Sequence, residues 1–234
     1  MKKTIILCLF VVSGNLTFSQ TFGGTDQTIA PIYYNLSTFE SNKKFINAYF
    51  KDIEGTPYIF KDFVQSEIVG VKSKMMMRYN AYDDVVEVQK SPNEIYTISK
   101  DPLYDTFLMN FNLFKLRLVN FESEKNEPVY NYLFELTSWN NLSLLRKDKI
   151  NFVELRMPRN SFDLGNKPKF TPVVYSYYLE GKDKKIREFP NSKSKLIELY
   201  PKNEFEIKKY IKENMISLSK EKDLIKLTQY LSTL

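Results

Sequence analysis

Apolar and polar residues alternate through the middle of the chain, which is the pattern of β-strands with one buried face. The clearest strand begins at Phe114, where Phe114, Leu116 and Leu118 alternate with Lys115 and Arg117. Because successive side chains of a strand point to opposite faces, the apolar residues share one face and the basic residues share the other. The pattern predicts a half-buried antiparallel sheet.

Turn-forming residues divide the alternating segments into hairpins. The first hairpin covers Met75–Gln89, with Met75, Met77 and Tyr79 on one face and a polar turn at residues 80–84. Other strands are predicted at residues 58–63, 66–71, 94–99, 106–111, 129–137, 142–147, 150–156, 173–180 and 184–189, and an irregular crossing is predicted at 159–171. This series predicts a sheet built mainly from neighbouring hairpins.

The spacing of the apolar residues becomes helical near the C-terminus. Residues 193–200 predict a helix that Pro201 ends, and Asn203 with Glu206 predicts the capped start of a second helix. Ser219 predicts the cap of a third helix, whose buried stripe is Leu224, Leu227 and Leu231. Strands followed by helices predict an α+β fold: an antiparallel, mostly meandering β-sheet, curved or forming a partial barrel, with short C-terminal α-helices.

The N-terminus has the pattern of a cleavable secretory signal peptide. A short basic start is followed by an apolar run from Ile5 to Val12 and by small residues before Gln20. We predict a signal peptide at 1–19, a loose leader at 20–35, a mainly antiparallel β domain at 36–190 that begins with a helix over 38–50, and a helical segment at 191–234 packed on it. No later segment is long and apolar enough to span a bilayer. The protein is therefore expected to be exported, and to be periplasmic, associated with the outer membrane or secreted.

Two residue types that carry much of enzyme chemistry are missing from the predicted mature chain. The sequence contains no histidine, and its single cysteine, Cys8, lies within the predicted signal peptide. This composition excludes disulfides, thiolate or imidazole metal sites, and nucleophilic catalysis that depends on histidine. We therefore predict a non-enzymatic protein without a cofactor, and a hydrolase that uses carboxylates is the weaker alternative.

Two groups of acidic residues are candidate sites of carboxylate chemistry. Asp83, Asp84 and Glu87 lie around the first predicted turn, where their oxygens could bind calcium, but the regular acidic spacing of calcium loops is missing. Glu135 and Glu154 lie on predicted neighbouring strands and could form a glycosidase pair. We expect both groups to be solvated surface residues, and no catalytic or metal-binding residue is predicted.

The residues predicted to contact a partner or a ligand are aromatic or basic. The chain has 34 basic and 28 acidic residues, and its basic surplus lies in the C-terminal part. An aromatic residue at a hairpin tip, two rings on predicted strands and three lysines form this set: Trp139, Tyr132, Tyr177, Lys184, Lys185 and Lys208. The expected partner is an envelope protein, a glycan or a lipid, and export argues against nucleic acid.

Several short motifs occur along the chain: Phe18-Ser19-Gln20 at the signal end, Gly55-Thr56-Pro57-Tyr58, the stretch from Arg78 to Asp84 with Glu87, Leu144-Leu145-Arg146-Lys147, Tyr177-Tyr178-Leu179, and the stretch from Asp223 to Lys226. In these motifs the chain resembles a family of uncharacterised exported proteins from Bacteroidota. The resemblance implies export, an antiparallel body and basic C-terminal helices. It implies no catalytic residue.

Two functions follow as hypotheses from these observations. The first is a protein that acts through contacts with envelope components, made by its sheet edges, hairpin tips and basic helices. The second is a ligand-binding module for a glycan, a lipid or a small molecule. It requires a cavity inside the curved sheet, lined by Tyr130, Tyr132, Phe134, Tyr175 and Tyr177.

Overall fold

The strands of the protein form one large sheet and one small two-stranded sheet. The computed structural model describes residues 53–92, 94–122 and 128–234, so the predicted signal peptide, leader and first helix lie outside the described residues. Within them the strands are β1 (Val64–Ile68), β2 (Lys74–Asn80), β3 (Val85–Ser91), β4 (Glu94–Thr97), β5 (Thr106–Met109), β6 (Phe114–Glu122), β7 (Pro128–Trp139), β8 (Leu142–Lys149), β9 (Phe152–Val153), β10 (Lys169–Phe170), β11 (Val174–Glu180) and β12 (Ile186–Glu188).

The large sheet is antiparallel throughout and has ten strands. Their order is β12-β11-β8-β7-β6-β5-β1-β2-β3-β4, so neighbouring hairpins build most of the sheet and β1 separates β5 from β2. Among the described strands the sheet is not closed, because β4 and β12 are its edges. Together with the C-terminal helices, this sheet confirms the predicted α+β class.

The sheet curves until strands that are not neighbours in it pack against each other. The ring of Tyr79 on β2 lies 6.0 Å from that of Tyr132 and 5.7 Å from that of Phe134, both on β7. Three strands separate β2 from β7 in the sheet. The enclosed core contains apolar residues of six strands: Ile68, Met75, Met77, Tyr79, Val86, Val88, Phe107, Met109, Leu116, Leu118, Tyr132 and Phe134.

The first predicted hairpin is present with the predicted facing of its apolar residues. Met75, Met77 and Tyr79 are buried, whereas Met76 is 42% exposed. The expectation that Glu87 lies on a solvated face is wrong, because Glu87 is fully buried. The segment before β1 covers that face of the sheet, and its aromatic rings pack on the residue that binds Glu87.

Two of the short strands predicted from the sequence have a different structure. Residues 58–63 form no strand, and their β-pairing with the sheet is limited to an isolated bridge between Tyr58 and Asn80. Residues 150–156 do not extend the meander. Within that stretch β9 pairs with β10 instead, on the far side of the irregular segment 154–168. In both cases side-chain packing overrides a weak alternating pattern.

The C-terminal segment forms three α-helices, α1 (Lys193–Leu199), α2 (Glu204–Glu213) and α3 (Glu221–Leu231). Ser192 caps α1 by accepting a hydrogen bond from the Lys195 N–H. Asn203 is the N-cap residue of α2, as predicted, but its side chain makes no capping hydrogen bond, and the predicted cap Ser219 is wrong. A 3-10 turn over Pro201–Asn203 leads directly into α2, and α3 begins after Lys220 without a side-chain cap.

The helices cover one end of the sheet with the predicted apolar stripe. Leu224, Leu227 and Leu231 are buried and pack in one cluster with Leu144 of β8 and Leu179 of β11. A smaller cluster elsewhere contains Val119, Leu133 and Leu145. None of the helices in the described part of the chain is long and apolar enough to cross a membrane.

Candidate functional site

The acidic residues of the first turn bind the protein's own cations and amides. Asp84 accepts hydrogen bonds from the Tyr79 hydroxyl at 2.6 Å, from Lys100 Nζ at 2.5 Å and from Lys147 Nζ. Asp83 accepts a hydrogen bond from the side-chain amide of Asn80 at 2.7 Å. The oxygens considered for calcium are therefore engaged by donors of the protein.

The buried carboxylate of Glu87 is held by one arginine. Arg78 donates to Glu87 Oε2 from Nε at 3.0 Å and from Nη2 at 2.8 Å. The guanidinium lies 3.6 Å from the centroid of the Tyr58 ring and 4.2 Å from that of the Phe63 ring. The aromatic faces and the carboxylate together compensate the desolvated cation, which indicates a structural role for the pair.

The second pair of acidic residues is not arranged as a glycosidase pair would be. Glu135 accepts hydrogen bonds from Lys115 at 3.0 Å and from Arg117 at 3.1 Å, and Arg117 also binds Glu180. Glu154 lies exposed after β9. Among the described residues, no group of three or more acidic side chains is placed to hold a metal ion.

The predicted contact residues lie in different parts of the fold. Trp139 is 54% exposed at the tip of the β7–β8 hairpin, and the neighbouring Asn140 side chain donates to the Ser232 carbonyl at 3.2 Å. Tyr177 donates to Glu221 of α3 at 3.2 Å, and burial raises its pKa to about 12. The structure does not bring these residues together with the lysines into one site.

The three lysines of the predicted set belong to local structure. Lys184 lies in the β11–β12 turn with a φ of +60°, and the backbone N–H of Lys185 donates to Asp183 at 3.1 Å. Lys208 forms an ion pair with Glu204 one turn earlier on α2. Such i,i+4 pairs stabilise a helix surface.

Tyr132 is a core residue, which corrects its prediction as a contact residue. Its side chain is fully buried, and its ring lies 5.6 Å from that of Phe107. Phe134 is also buried, 6.2 Å from the ring of Phe114. Side chains therefore fill the part of the sheet interior where the ligand-binding hypothesis requires a cavity.

A cleft of about 650 Å³ opens beside this filled core. Its floor includes the Arg146 guanidinium, which lies 4.5 Å from the centroid of the Tyr175 ring and binds Asp148 through Nε at 2.6 Å and Nη2 at 2.8 Å. Burial lowers the pKa of Arg146, but its bonds to Asp148 and Glu221 outweigh burial and raise it. Aromatic and polar residues line the rest of the cleft, among them Tyr58, Phe170, Thr171 and Tyr175.

A loop next to the cleft carries the two most exposed large apolar residues of the described chain. This loop, residues 154–168, lies between β9 and β10 and is called the apolar loop below. Phe162 is 97% exposed and Leu164 is 95% exposed, and Met157 and Leu155 are 70% and 61% exposed. Large apolar side chains this free of neighbours are unusual on a soluble protein and mark a contact surface when they cluster.

Asp163 fixes the tip of the apolar loop. Its carboxylate accepts hydrogen bonds from Arg156 Nη1 at 2.5 Å and Nη2 at 2.8 Å, and from the backbone N–H groups of Arg159 and Gly165. The Arg156 guanidinium and these N–H groups hold the pKa of Asp163 well below its usual range. Phe162 and Leu164 are thus presented by a hydrogen-bonded loop, although they are exposed themselves.

Gly165 is required by the shape of this loop. Its φ is +63°, and a Cβ at this position would lie 2.3 Å from the carbonyl oxygen of Arg156. Arg156 and Asn166 exchange two backbone hydrogen bonds across the loop at 3.0 and 2.9 Å. A side chain at residue 165 would therefore separate the two arms that position the tip.

Basic residues flank the apolar tip along the chain. Arg159, Lys167 and Lys169 are exposed and form no ion pair with another described residue. Together with Arg156 they outnumber the two acidic residues of the segment, Glu154 and Asp163, so residues 154–169 carry two surplus positive charges. The loop therefore combines an apolar tip with a positive rim.

The sequence offered only a weak signal for this loop. Phe162-Asp163-Leu164-Gly165 lies between Pro158 and Pro168, and its apolar residues fit neither a strand nor a helix period. Apolar residues outside any period, in a segment bounded by prolines, have no predicted partner within the fold. That absence of a partner is the feature that could have indicated a contact loop.

Comparison of the chain with protein-family models, curated proteins and solved structures finds no match. The resemblance to exported Bacteroidota proteins therefore stays a prediction.

Proposed function

We propose that the protein is an exported, non-enzymatic binding protein that acts by contact with the cell envelope. The observation that carries this proposal is the apolar loop, whose Phe162 and Leu164 are almost fully exposed on a hydrogen-bonded scaffold. A preorganised loop loses little conformational entropy when it binds. More of the free energy gained by burying its apolar side chains therefore contributes to affinity. The loop replaces the sheet edges and the basic helices as the expected contact surface.

The acidic residues that are candidates for catalysis have structural contacts instead, which supports the same proposal. Asp84, Glu87 and Glu135 each bind cations of the protein, through contacts that hold separate strands together. The two edge strands, β4 and β12, are four and three residues long. Such short edges offer little backbone for pairing with a partner strand, which favours the loop over the edges.

The test measures binding of the processed protein to envelope vesicles from the organism that encodes the chain. The double variant Phe162→Ser with Leu164→Ser is expected to bind about tenfold less than the unaltered protein, because the apolar contact area is lost. Phe205→Ser with Met215→Ser is the matched control, since these residues are 75% and 86% exposed on the helical segment. Equal binding by the loop variant and the unaltered protein would refute the proposed function.

The cleft supports a second candidate function, the binding of a small or oligomeric ligand. Tyr175 is 46% exposed there, and aromatic rings beside hydrogen-bonding groups suit sugar rings. We expect a soluble oligosaccharide that binds the cleft to lose affinity on Tyr175→Ala and to keep it on Phe205→Ala, a change at an exposed ring outside the cleft lining. Calorimetry of neutral and acidic oligosaccharides measures this difference, and no binding by either class would reject the candidate.

A further inference from the structure

The apolar loop is shaped to enter an apolar layer. Its two most exposed side chains, Phe162 and Leu164, lie on either side of a residue whose charge is already compensated. A carboxylate so close to the tip would oppose entry into a medium of low dielectric if it were unpaired. The bidentate ion pair with Arg156 and the two N–H donors satisfy Asp163 within the loop itself.

The basic residues of the loop are suited to bind anions at the surface of such an apolar layer. Arg159, Lys167 and Lys169 are exposed within a few residues of the tip and have no ion-pair partner among the residues that the structure describes. Basic side chains next to a membrane surface interact with anionic headgroups, and their aliphatic stems can extend along the apolar layer.

We infer that the apolar loop inserts Phe162 and Leu164 into a lipid bilayer with anionic headgroups, while the flanking basic residues bind the lipid phosphates. The inference rests on the proposed function and names the envelope component as lipid. A bilayer offers an apolar layer and negative charge at adjacent depths, which matches the apolar tip and positive rim of the loop. A protein groove that encloses two isolated side chains would need no excess of unpaired basic residues around them.

The first experiment measures partition of the exported, processed protein onto protein-free vesicles. Vesicles of phosphatidylethanolamine with phosphatidylglycerol are expected to bind it, and vesicles of phosphatidylcholine alone to bind it weakly. Phe162→Ser with Leu164→Ser, and separately Arg159→Gln with Lys167→Gln, are each expected to reduce partition about tenfold. Phe205→Ser with Met215→Ser is the matched control and is expected to leave partition unchanged.

The second experiment reports insertion directly. The chain has a single tryptophan, so Phe162→Trp in a Trp139→Phe background places one fluorophore at the loop tip. On addition of anionic vesicles its emission is expected to shift to shorter wavelength and to be quenched by lipids brominated on their acyl chains. Phe205→Trp in the same background is expected to do neither.

Two outcomes overturn the inference. One is the absence of binding to anionic vesicles by the unaltered protein, and the other is equal binding by the Phe162→Ser, Leu164→Ser variant. If envelope vesicles still bind the protein and this binding depends on Phe162 and Leu164, the proposed function stands. The partner that the loop contacts is then a protein. If the loop variant binds both the envelope vesicles and the protein-free lipid vesicles as well as the unaltered protein does, both proposals fail.

Discussion

Asp84 is the residue on which the most distant parts of the sheet converge. It lies in the turn between β2 and β3 with a φ of +56°, and it binds Lys100, which follows β4, and Lys147 of β8. The backbone N–H of Tyr132 on β7 also donates to it at 3.3 Å. Burial lowers the pKa of Lys147, and the Asp84 carboxylate opposes that shift. One side chain thus joins both halves of the curved sheet.

Asp84→Asn is expected to destabilise the protein by about 3 to 5 kcal/mol, because it leaves two lysines beside a neutral group. Asparagine tolerates the positive φ, so the backbone is not the cause. Urea unfolding measures the loss. Asp183→Asn removes an ion pair with Arg187 whose side chains are 45 to 47% exposed, and it is expected to change the free energy of unfolding much less, because solvent screens an exposed pair. Similar losses for both variants would contradict the interpretation of Asp84.

Tyr58 makes stability depend on pH in the alkaline range. Its hydroxyl accepts a hydrogen bond from Arg78 at 2.8 Å, and burial, assisted by Glu87, raises its pKa to about 12. The pKa of a tyrosine in the unfolded chain is about 10. Because the pKa of Tyr58 is higher than this in the folded protein, the folded state favours the neutral phenol. The contribution of Tyr58 to stability is therefore full below about pH 10 and is lost as the pH rises toward 12.

Tyr58→Phe is accordingly expected to make the free energy of unfolding fall less steeply between about pH 10 and about pH 12. Urea unfolding across that interval measures the slope. Tyr82→Phe is the control, because Tyr82 is 46% exposed. A slope that is the same in Tyr58→Phe and the unaltered protein would show that the phenol of Tyr58 does not control it.

At the scale of elements, the sequence predicted the residues whose environment is set by a regular period. In β6, alternation with basic residues correctly predicts the burial of Leu116 and Leu118, whereas Phe114 at the start of the strand is 37% exposed. The stripe of α3 is fixed in the same way by helical spacing. The start of α2 at Asn203 was predicted correctly, but the side-chain cap of Asn203 and the helix start at Ser219 were not, because the conformation of the preceding chain follows no local pattern.

The candidate site was predicted less well, for a related reason. The exposure of a side chain depends on what the rest of the chain places next to it. Tyr132 and Trp139 were therefore both predicted as contact residues, but in the fold Tyr132 is buried and Trp139 is exposed. Glu87 shows the same effect, because the segment that covers it lies outside any strand. The apolar loop has no period at all, and its hydrogen bonds converge on Asp163 from residues on both sides.

Helix α3 is expected to contribute strongly to the stability of the sheet it covers. Leu227 is fully buried in the cluster that joins the helices to β8 and β11, so Leu227→Ala is expected to cost about 2 to 5 kcal/mol. Leu199→Ala is the control, since Leu199 at the end of α1 is 47% exposed. Thermal and urea unfolding compare the two variants, and an equal, small loss would mean that α3 packs loosely.

At the scale of the whole molecule, the helical segment and the sheet share one apolar cluster. Leu144 and Leu179 of the sheet pack with residues of all three helices. The tip of the β7–β8 hairpin is also joined to the chain end by the hydrogen bond from Asn140 to the Ser232 carbonyl. Neither part can lose its structure without exposing the other.

The protein is therefore expected to unfold in one transition. Trp139, the single tryptophan, reports on the β7–β8 hairpin, and ellipticity in the far ultraviolet reports mainly on the helices. The two signals are expected to give the same urea midpoint and slope. Loss of ellipticity at a lower urea concentration than the change in fluorescence would show that the helices unfold separately.

The position of Asp84 also has a consequence in time. Its partners Lys100, Tyr132 and Lys147 follow it by 16, 48 and 63 residues, so we expect its last contacts to form only after most of the sheet exists. A contact that forms after the rate-limiting step leaves the rate of folding nearly unchanged and slows unfolding. We therefore expect Asp84 to control the rate of unfolding. The strand pairs of adjacent hairpins are expected to control the rate of folding.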